Sequence, residues 1–539
     1  ELAPGLEVDL DLVPKKYAGL DGTELAISES QERMAVVVDP TDREAFLGFA
    51  AEENLEATEV AVVTEKPRLV LNWRGKKIVD LSREFLDTNG APQETRVRVQ
   101  LPKRMELPLA VLTNAAVHEA LDAGDPRVAW LAALSDLEAS SQKGLIEMFD
   151  SSIGAASVLM PFGGLLQRTP TQAMAAKLPV ADGETDAVSM MAYGFDPVLS
   201  QVSPYHGAIY AVTESIARIV ASGGDPHRIH FTFQEYFRRM VDESDWGEPF
   251  TALLGAFEAQ LQYGLASIGG KDSMSGSFNE LPVPPTLVSF AVAMGESGDI
   301  VTPELKTPGN RLVLIDIPTD EEDLPVYASV MAIYDQVHRL MKQGRIVSCY
   351  ALDRLGLVPA LSKMAFGNGL GVNISTDIIT NDTKKSQSST SLLFSGYQGS
   401  LLAEVTGDII SEFNNIPGVW VAEIGQVTDA GKFVMPFFRN GWPVRGKTTE
   451  IAVEEAYAAW TGKLEPVFKP RASDDRSPLE ERLYEEKSVY VCRHRVAKPT
   501  VFIPVFPGTN CEYDTGRVFA RAGAEVNTLV FKNRNAADI

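Results

Sequence analysis

The chain has 539 residues, a formal net charge of −24 and a pI near 4.8, with 45% hydrophobic and 23% charged residues. That length exceeds one hydrophobic core and implies several domains, and the composition excludes wholesale disorder. The acidic balance argues against a nucleic-acid coat or an anionic membrane as partner, so a phosphorylated ligand would need local positive charge.

Three widely spaced cysteines, Cys349, Cys492 and Cys511, form no Cys-x-x-Cys, which indicates neither a disulfide framework nor a zinc site and suggests a reducing, cytoplasmic compartment. No run of 18 apolar residues exists. The chain opens on Glu1-Leu2-Ala3-Pro4-Gly5 rather than on a Met and a basic stretch, so a processed protein or a piece of a longer one is expected.

The first hundred residues read as an α+β region. Leu6–Leu12 alternates like a strand, Met34–Val38 reads as a short buried strand, Asp42–Glu53 as an amphipathic helix, and Glu59–Thr64 and Arg68–Trp73 as two more strands. Ile27–Met34 places six consecutive polar residues directly before a strand, either a ligand-holding strand mouth or a solvated loop. Residues 91–140 form a connector whose helical stretch is broken at Gly124-Asp125-Pro126.

Turn signals become dense after Ser140, at Phe149–Gly154 and Met160–Gly164. Ala173–Val180 reads as a strand leading to Ala181-Asp182-Gly183, a carboxylate on a turn. Tyr205–Ser222 has the spacing of an amphipathic helix, with Glu214 and Arg218 four apart on its other face. Those two could hold a ligand jointly or pair with each other as a solvated ion pair. Thr251–Ser267 reads as a long helix delivering the chain into Ile268–Ser277, where two adjacent glycines precede Lys271, Asp272, Ser273, Ser275 and Ser277. That segment is compatible with a phosphate or with an ordinary Gly/Ser loop, and it fits neither a Walker loop nor a dinucleotide fingerprint.

Alternating strands and helices follow: strands at Leu287–Met294, Asn310–Ile317 and Ser348–Asp353, with a helix at Leu324–Gln343. Leu361–Gly371, Leu402–Thr406 and Val419–Val427 continue the pattern. Asn381–Thr390 reads as a loop tip and Pro466–Lys487 as a linker. Thr500–Phe506 and Tyr513–Ala522 read as the first strand and helix of an open α/β domain. Cys511, between them, has no histidine after His494 to serve as a base, so a structural thiol is expected rather than a nucleophile.

Five segments, Ile27–Met34, Lys143–Gly164, Ser203–Glu214, Gly269–Ser275 and Pro507–Asp514, together resemble the large single-chain phosphoribosylformylglycinamidine synthases of purine biosynthesis. The resemblance implies an α/β chain with α+β subdomains, built of aminoimidazole-ribonucleotide-synthetase-like repeats and the start of a class I glutamine amidotransferase domain. Residues 1–110 would end a first repeat, 111–139 connect, 140–305 and 306–465 form the two subdomains of a second repeat, 466–497 link, and 498–539 open the glutaminase. It implies an ATP-dependent ligase that converts formylglycinamide ribonucleotide (FGAR) to its amidine with nitrogen from glutamine, using Mg2+, without nucleic-acid or membrane partners. A non-catalytic scaffold repeat, or another ATP-dependent enzyme of the same fold, is the alternative.

Carried over residue by residue, the resemblance assigns substrate contacts to Glu29, Ser30, Gln31 and Ser273, and nucleotide contacts to Ala181, Gly270 and Lys271. Catalytic groups are expected outside the chain, upstream of Glu1 and downstream of Ile539, in missing portions of the same enzyme. An auxiliary ADP site with magnesium would use Asp182, Glu214 and Asp353. Here the sequence departs from the family pattern: Arg218 stands where an asparagine ligand is expected, and Asp353-Arg354-Leu355-Gly356 lacks a serine and a second aspartate. A guanidinium cannot ligate Mg2+, so the site is expected to be degenerate, with Arg218 neutralising Glu214 directly.

Overall fold

The computed structural model describes residues 3–15, 19–28, 33–52, 55–88, 94–100, 114–149, 151, 156–180, 185–273, 276–375, 393–439, 442–469, 488, 491, 493–494, 496–506 and 509–531. The chain divides into two compact units, Glu1–Thr95 with Pro478–Ile539, and Arg96–Ser477. Both mix helices and sheets, the α/β class expected from the sequence.

In the first unit, strand β1 (Gly5–Asp9) lies between β2 (Ala61–Thr64), antiparallel to it, and β3 (Arg68–Trp73), parallel to it. Helices α1 (Gly22–Ile27) and α2 (Arg43–Glu52) come between β1 and β2 in the chain. The expected strand at Met34–Val38 does not form: Met34 is 87% exposed and the segment joins no sheet. The fourth strand is instead β4 (Lys76–Ser82), antiparallel to β3. Arg74 and Gly75 both have positive φ, 52° and 70°, the two-residue turn whose twist suits a hairpin. That closure is local, whereas Met34–Val38 would have to pair across a longer connection.

The second unit is four layers deep. Helices α3 (Ala115–Asp122) and α4 (Pro126–Leu134) open it, capped by Asn114 and Asp125, whose side chains accept from the first free backbone amides. One sheet has six strands, β5 (Ser157–Leu159), β6 (Ala173–Lys177), β7 (Ala187–Gly194), β8 (Ile229–Tyr236), β9 (Ser267–Lys271) and β10 (Thr286–Glu296). They lie in the order β9-β8-β10-β7-β6-β5, antiparallel except for the β8-β9 edge. A seven-stranded sheet comprises β11 (Arg311–Asp316), β12 (Ile346–Ala351), β13 (Gly371–Ile374), β14 (Leu401–Val405), β15 (Trp420–Thr428), β16 (Lys432–Arg439) and β17 (Trp442–Ala452), in the order β12-β14-β11-β15-β13-β16-β17.

Between the sheets lie α5 (Pro204–Ala221), α6 (Glu243–Tyr263) and α7 (Tyr327–Lys342), while α8 (Leu357–Phe366) and α9 (Val453–Gly462) join α3 and α4 on the far side of the seven-stranded sheet. The period-two alternation of a strand makes this possible. On β11, Val313 and Ile315 enter the core shared with α5, while Leu312 and Leu314 enter the core with Trp130, Leu361 and Trp460. The stretch read as a connector thus supplies Val117, Trp130 and Leu134 to that second core.

Helix α5 forms where its apolar spacing places it, but it is buried almost all round rather than amphipathic. It touches β7 and β10 on one side and β12 and α7 on the other, so its polar side chains Thr213, Glu214 and Ser215 are enclosed too. The helix read at Thr251–Ser267 starts earlier, at Glu243, and ends at Tyr263, after which Ser267 begins an edge strand.

Beyond residue 498, β18 (Thr500–Val505) and β19 (Glu525–Val530) pair in parallel around α10 (Glu512–Arg521), a single strand-helix-strand crossover. Cys511 sits on the turn into α10 with φ 63°, exposed rather than packed as a structural thiol would be. Cys349 is the opposite case: it is buried on β12, and burial pushes its thiol up to about 12. An alkylating reagent should therefore modify Cys511 in the folded chain and leave Cys349 unmodified until denaturant is added; equal native rates, mapped by peptide mass, would contradict the packing around β12.

Candidate functional site

The midpoint of α5 places a carboxylate, Glu214, 4% exposed, between two sheets. Helical geometry sets Arg218 one turn further on the same face, and its guanidinium pairs with Glu214. Arg218 Nη1 also donates to the carbonyl of Tyr193 at 2.7 Å, and the guanidinium lies over the Tyr193 ring, 4.7 Å from its centroid. The pair is therefore buried rather than a solvated surface pair. Burial pushes the Glu214 carboxyl up to about 7, against the pull of Arg218 and of a hydrogen bond from the Phe195 backbone. Although burial disfavours its charge, Arg218 is held above its ordinary value by Glu214.

These groups form one wall of a cavity of about 230 Å³ at the C-terminal ends of β7 and β12. Just past β7, Asp196 caps a short helix, accepting from the amides of Val198 at 2.9 Å and Leu199 at 3.0 Å. Its other oxygen accepts from Gln398 and meets Arg354 Nε at 3.2 Å. Arg354 also pairs with Glu138, whose carboxyl burial raises while Arg354 lowers it. Just past β12, Asp353 Oδ1 accepts from the Leu355 amide at 2.8 Å, holding a tight turn. Gly356 follows with φ 84°, and a Cβ there would lie 2.3 Å from the Ser395 carbonyl, so this turn admits only glycine. Among the described residues, Arg218 Nε and Gln398 Oε1 are buried without a hydrogen-bond partner.

The glycine-rich segment takes a form the sequence did not suggest. Ser267–Lys271 is an edge strand, not a loop, and the register against β8 slips by one residue at Ile268. Gly269 has φ 154° at that bulge, and a Cβ on Gly270 would approach the Phe233 carbonyl to 2.6 Å. Both glycines thus have a backbone reason to be there. Ser273 continues the pairing: its amide donates to the Glu235 carbonyl at 3.0 Å, and its carbonyl accepts from Phe237 at 2.8 Å.

Of the positions singled out in the sequence, Glu214, Arg218, Asp353 and Leu355 come together on the cavity wall. Gly270, Lys271 and Ser273 lie on or just beyond the β9 edge and are not among its lining residues. Glu29, Ser30, Gln31, Ala181 and Asp182 lie outside the described residues. Asp196, Glu138 and Gln398 were missed, and Arg354 figured only in a departure from the family pattern, not as a charge on the cavity wall. Asp196-Pro197 carries a helix-start signal that could have drawn attention to it. The others reach the cavity only through tertiary folding.

Residues 1–74 match the family model for the C-terminal domain of AIR synthase related proteins. Over most of its length the chain is similar to PurL. The phosphoribosylformylglycinamidine synthase subunit PurL of Thermoplasma volcanium is 25% identical over 452 residues, 78% of this chain and 55% of the relative. That of Thermoplasma acidophilum is 23% identical over 496 residues, 86% of this chain and 59% of the relative. The chain thus spans little more than half the length of these curated relatives. Among solved structures, Thermotoga maritima PurL complexed with ATP is 20% identical, with a TM-score of 0.45 and coverage of 79% of this chain and 59% of that one. The same protein complexed with FGAR is 19% identical, also at 0.45, covering 79% and 58%.

The raised carboxyl has a signed consequence. Glu214 binds its proton more tightly folded, near 7, than at its ordinary 4.5, so its stabilising share is complete below about 4.5 and is lost as pH rises through about 7. Relative to Glu214→Gln, the wild-type chain should lose stability across that window in denaturant titrations; a difference independent of pH would contradict the burial.

Proposed function

We propose that this chain forms part of a cytoplasmic ATP-dependent ligase that converts FGAR to formylglycinamidine ribonucleotide in purine biosynthesis, with glutamine as nitrogen donor and Mg2+ accompanying ATP. The observation that carries this reading is the similarity to PurL subunits across roughly four-fifths of the chain. The match of residues 1–74 to the AIR synthase C-terminal domain supports it from an independent comparison. In this reading residues 1–110 end one synthetase repeat, 140–305 and 306–465 make the next, and 498–539 open a glutaminase domain, with 111–139 and 466–497 between them.

Substrate contacts are assigned to Glu29, Ser30, Gln31 and Ser273. A carboxylate, two hydroxyls and a carboxamide offer the mixed donors and acceptors that a ribose and an amide require. Gly270, Lys271 and Ala181 are assigned to the nucleotide, with Lys271 supplying positive charge in an otherwise acidic chain.

In the intact protein, Ser273→Ala and Gln31→Ala should each raise KM for FGAR by about 1–3 kcal/mol of lost hydrogen bonding. Steady-state kinetics with FGAR as the varied substrate would check this. Unchanged KM in both variants would remove these two residues from the substrate site, and an intact protein that forms no amidine from FGAR, ATP and glutamine would overturn the assignment.

A further inference from the structure

We propose that Arg218 and Arg354 take the place of divalent cations in the cavity beside α5, so that it closes on a metal-free ion network and holds neither Mg2+ nor ADP. A magnesium ion needs oxygen ligands in near-octahedral array, with lone pairs free to face it. Each carboxylate lining the cavity already holds at least one partner. Glu214 holds Arg218 and accepts from the Phe195 backbone. Both oxygens of Asp196 are used, one by the Val198 and Leu199 amides and the other by Gln398 and Arg354. Glu138 is taken by Arg354, and Asp353 Oδ1 by the Leu355 amide. Among the described residues, no three His, Cys, Asp or Glu side chains come together as a metal-ligand set.

Glu138, Asp196, Glu214 and Asp353 face Arg218 and Arg354 around the cavity. The Arg218 guanidinium lines the same wall and repels a cation. The space is also small: about 230 Å³ falls below the roughly 300–1,000 Å³ typical of small-molecule pockets.

The purified full chain is loaded with MnCl2 and ADP and passed through gel filtration, its metal and nucleotide content is measured, and its Tm is recorded with EDTA and with Mn2+. No metal that depends on Glu214 or Asp353 is expected, and neither reagent should shift the Tm of the wild-type chain through this cavity. Arg218→Asn should lower the Tm in EDTA, since it strips the counter-charge from Glu214; an unchanged Tm contradicts the guanidinium's place. Stoichiometric Mn2+ or ADP that is lost in Glu214→Gln, or in Asp353→Asn should the first variant not fold, overturns the proposal. Metal or nucleotide that survives both substitutions sits elsewhere in the chain and agrees with it.

Discussion

A carboxylate buried between two sheets is the constraint on which the second unit turns. Helix α5 packs on the six-stranded sheet with one side and on β12 and α7 with the other, so Glu214 at its midpoint is almost fully buried. An unpaired ion there would cost several kcal/mol, which a partner one helical turn away offsets without any long-range search. Arg218 is also tied to β7 through the Tyr193 carbonyl and ring. From the turn after β12, Arg354 reaches Asp196 beyond β7 and Glu138 beyond α4. The network therefore joins the ends of strands in both sheets.

Much of the fold was legible because the chain obeys its local rules. Arg68–Trp73 alternates and forms a strand with those bounds, and the apolar spacing of Tyr205–Ser222 gives α5 to within a residue or so. Asp125-Pro126 starts a helix where an aspartate cap followed by proline should. The failures share a cause. Met34–Val38 has the composition of a strand, but pairing is a tertiary matter, and a hairpin closed by Arg74-Gly75 supplies the fourth strand. Ile268–Lys271 has the composition of a loop, yet two glycines allow a bulge and a close approach to β8, so an edge strand forms.

The site divides in the same way. The spacing of Glu214 and Arg218 announced that they could meet, while their burial depended on layers that no local pattern reveals. Arg354 and Glu138 lie 216 positions apart in the sequence and meet only in the folded unit. The sequence departures at Arg218 and Leu355 fall on the cavity wall, while no local pattern discloses that Arg354 reaches Asp196 and Glu138.

The account depends most directly on Arg218 being the counter-charge of Glu214, and a double-mutant cycle measures that dependence. Urea unfolding of the wild-type chain, Glu214→Gln, Arg218→Met and the double variant, all in EDTA and above pH 7, isolates the coupling between the two side chains. A favourable coupling on the order of 2–3 kcal/mol is expected, with the double variant more stable than the sum of the single losses implies, because removing both charges leaves neither one buried alone. Additive losses, or a coupling that appears only when Mg2+ replaces EDTA, would contradict it.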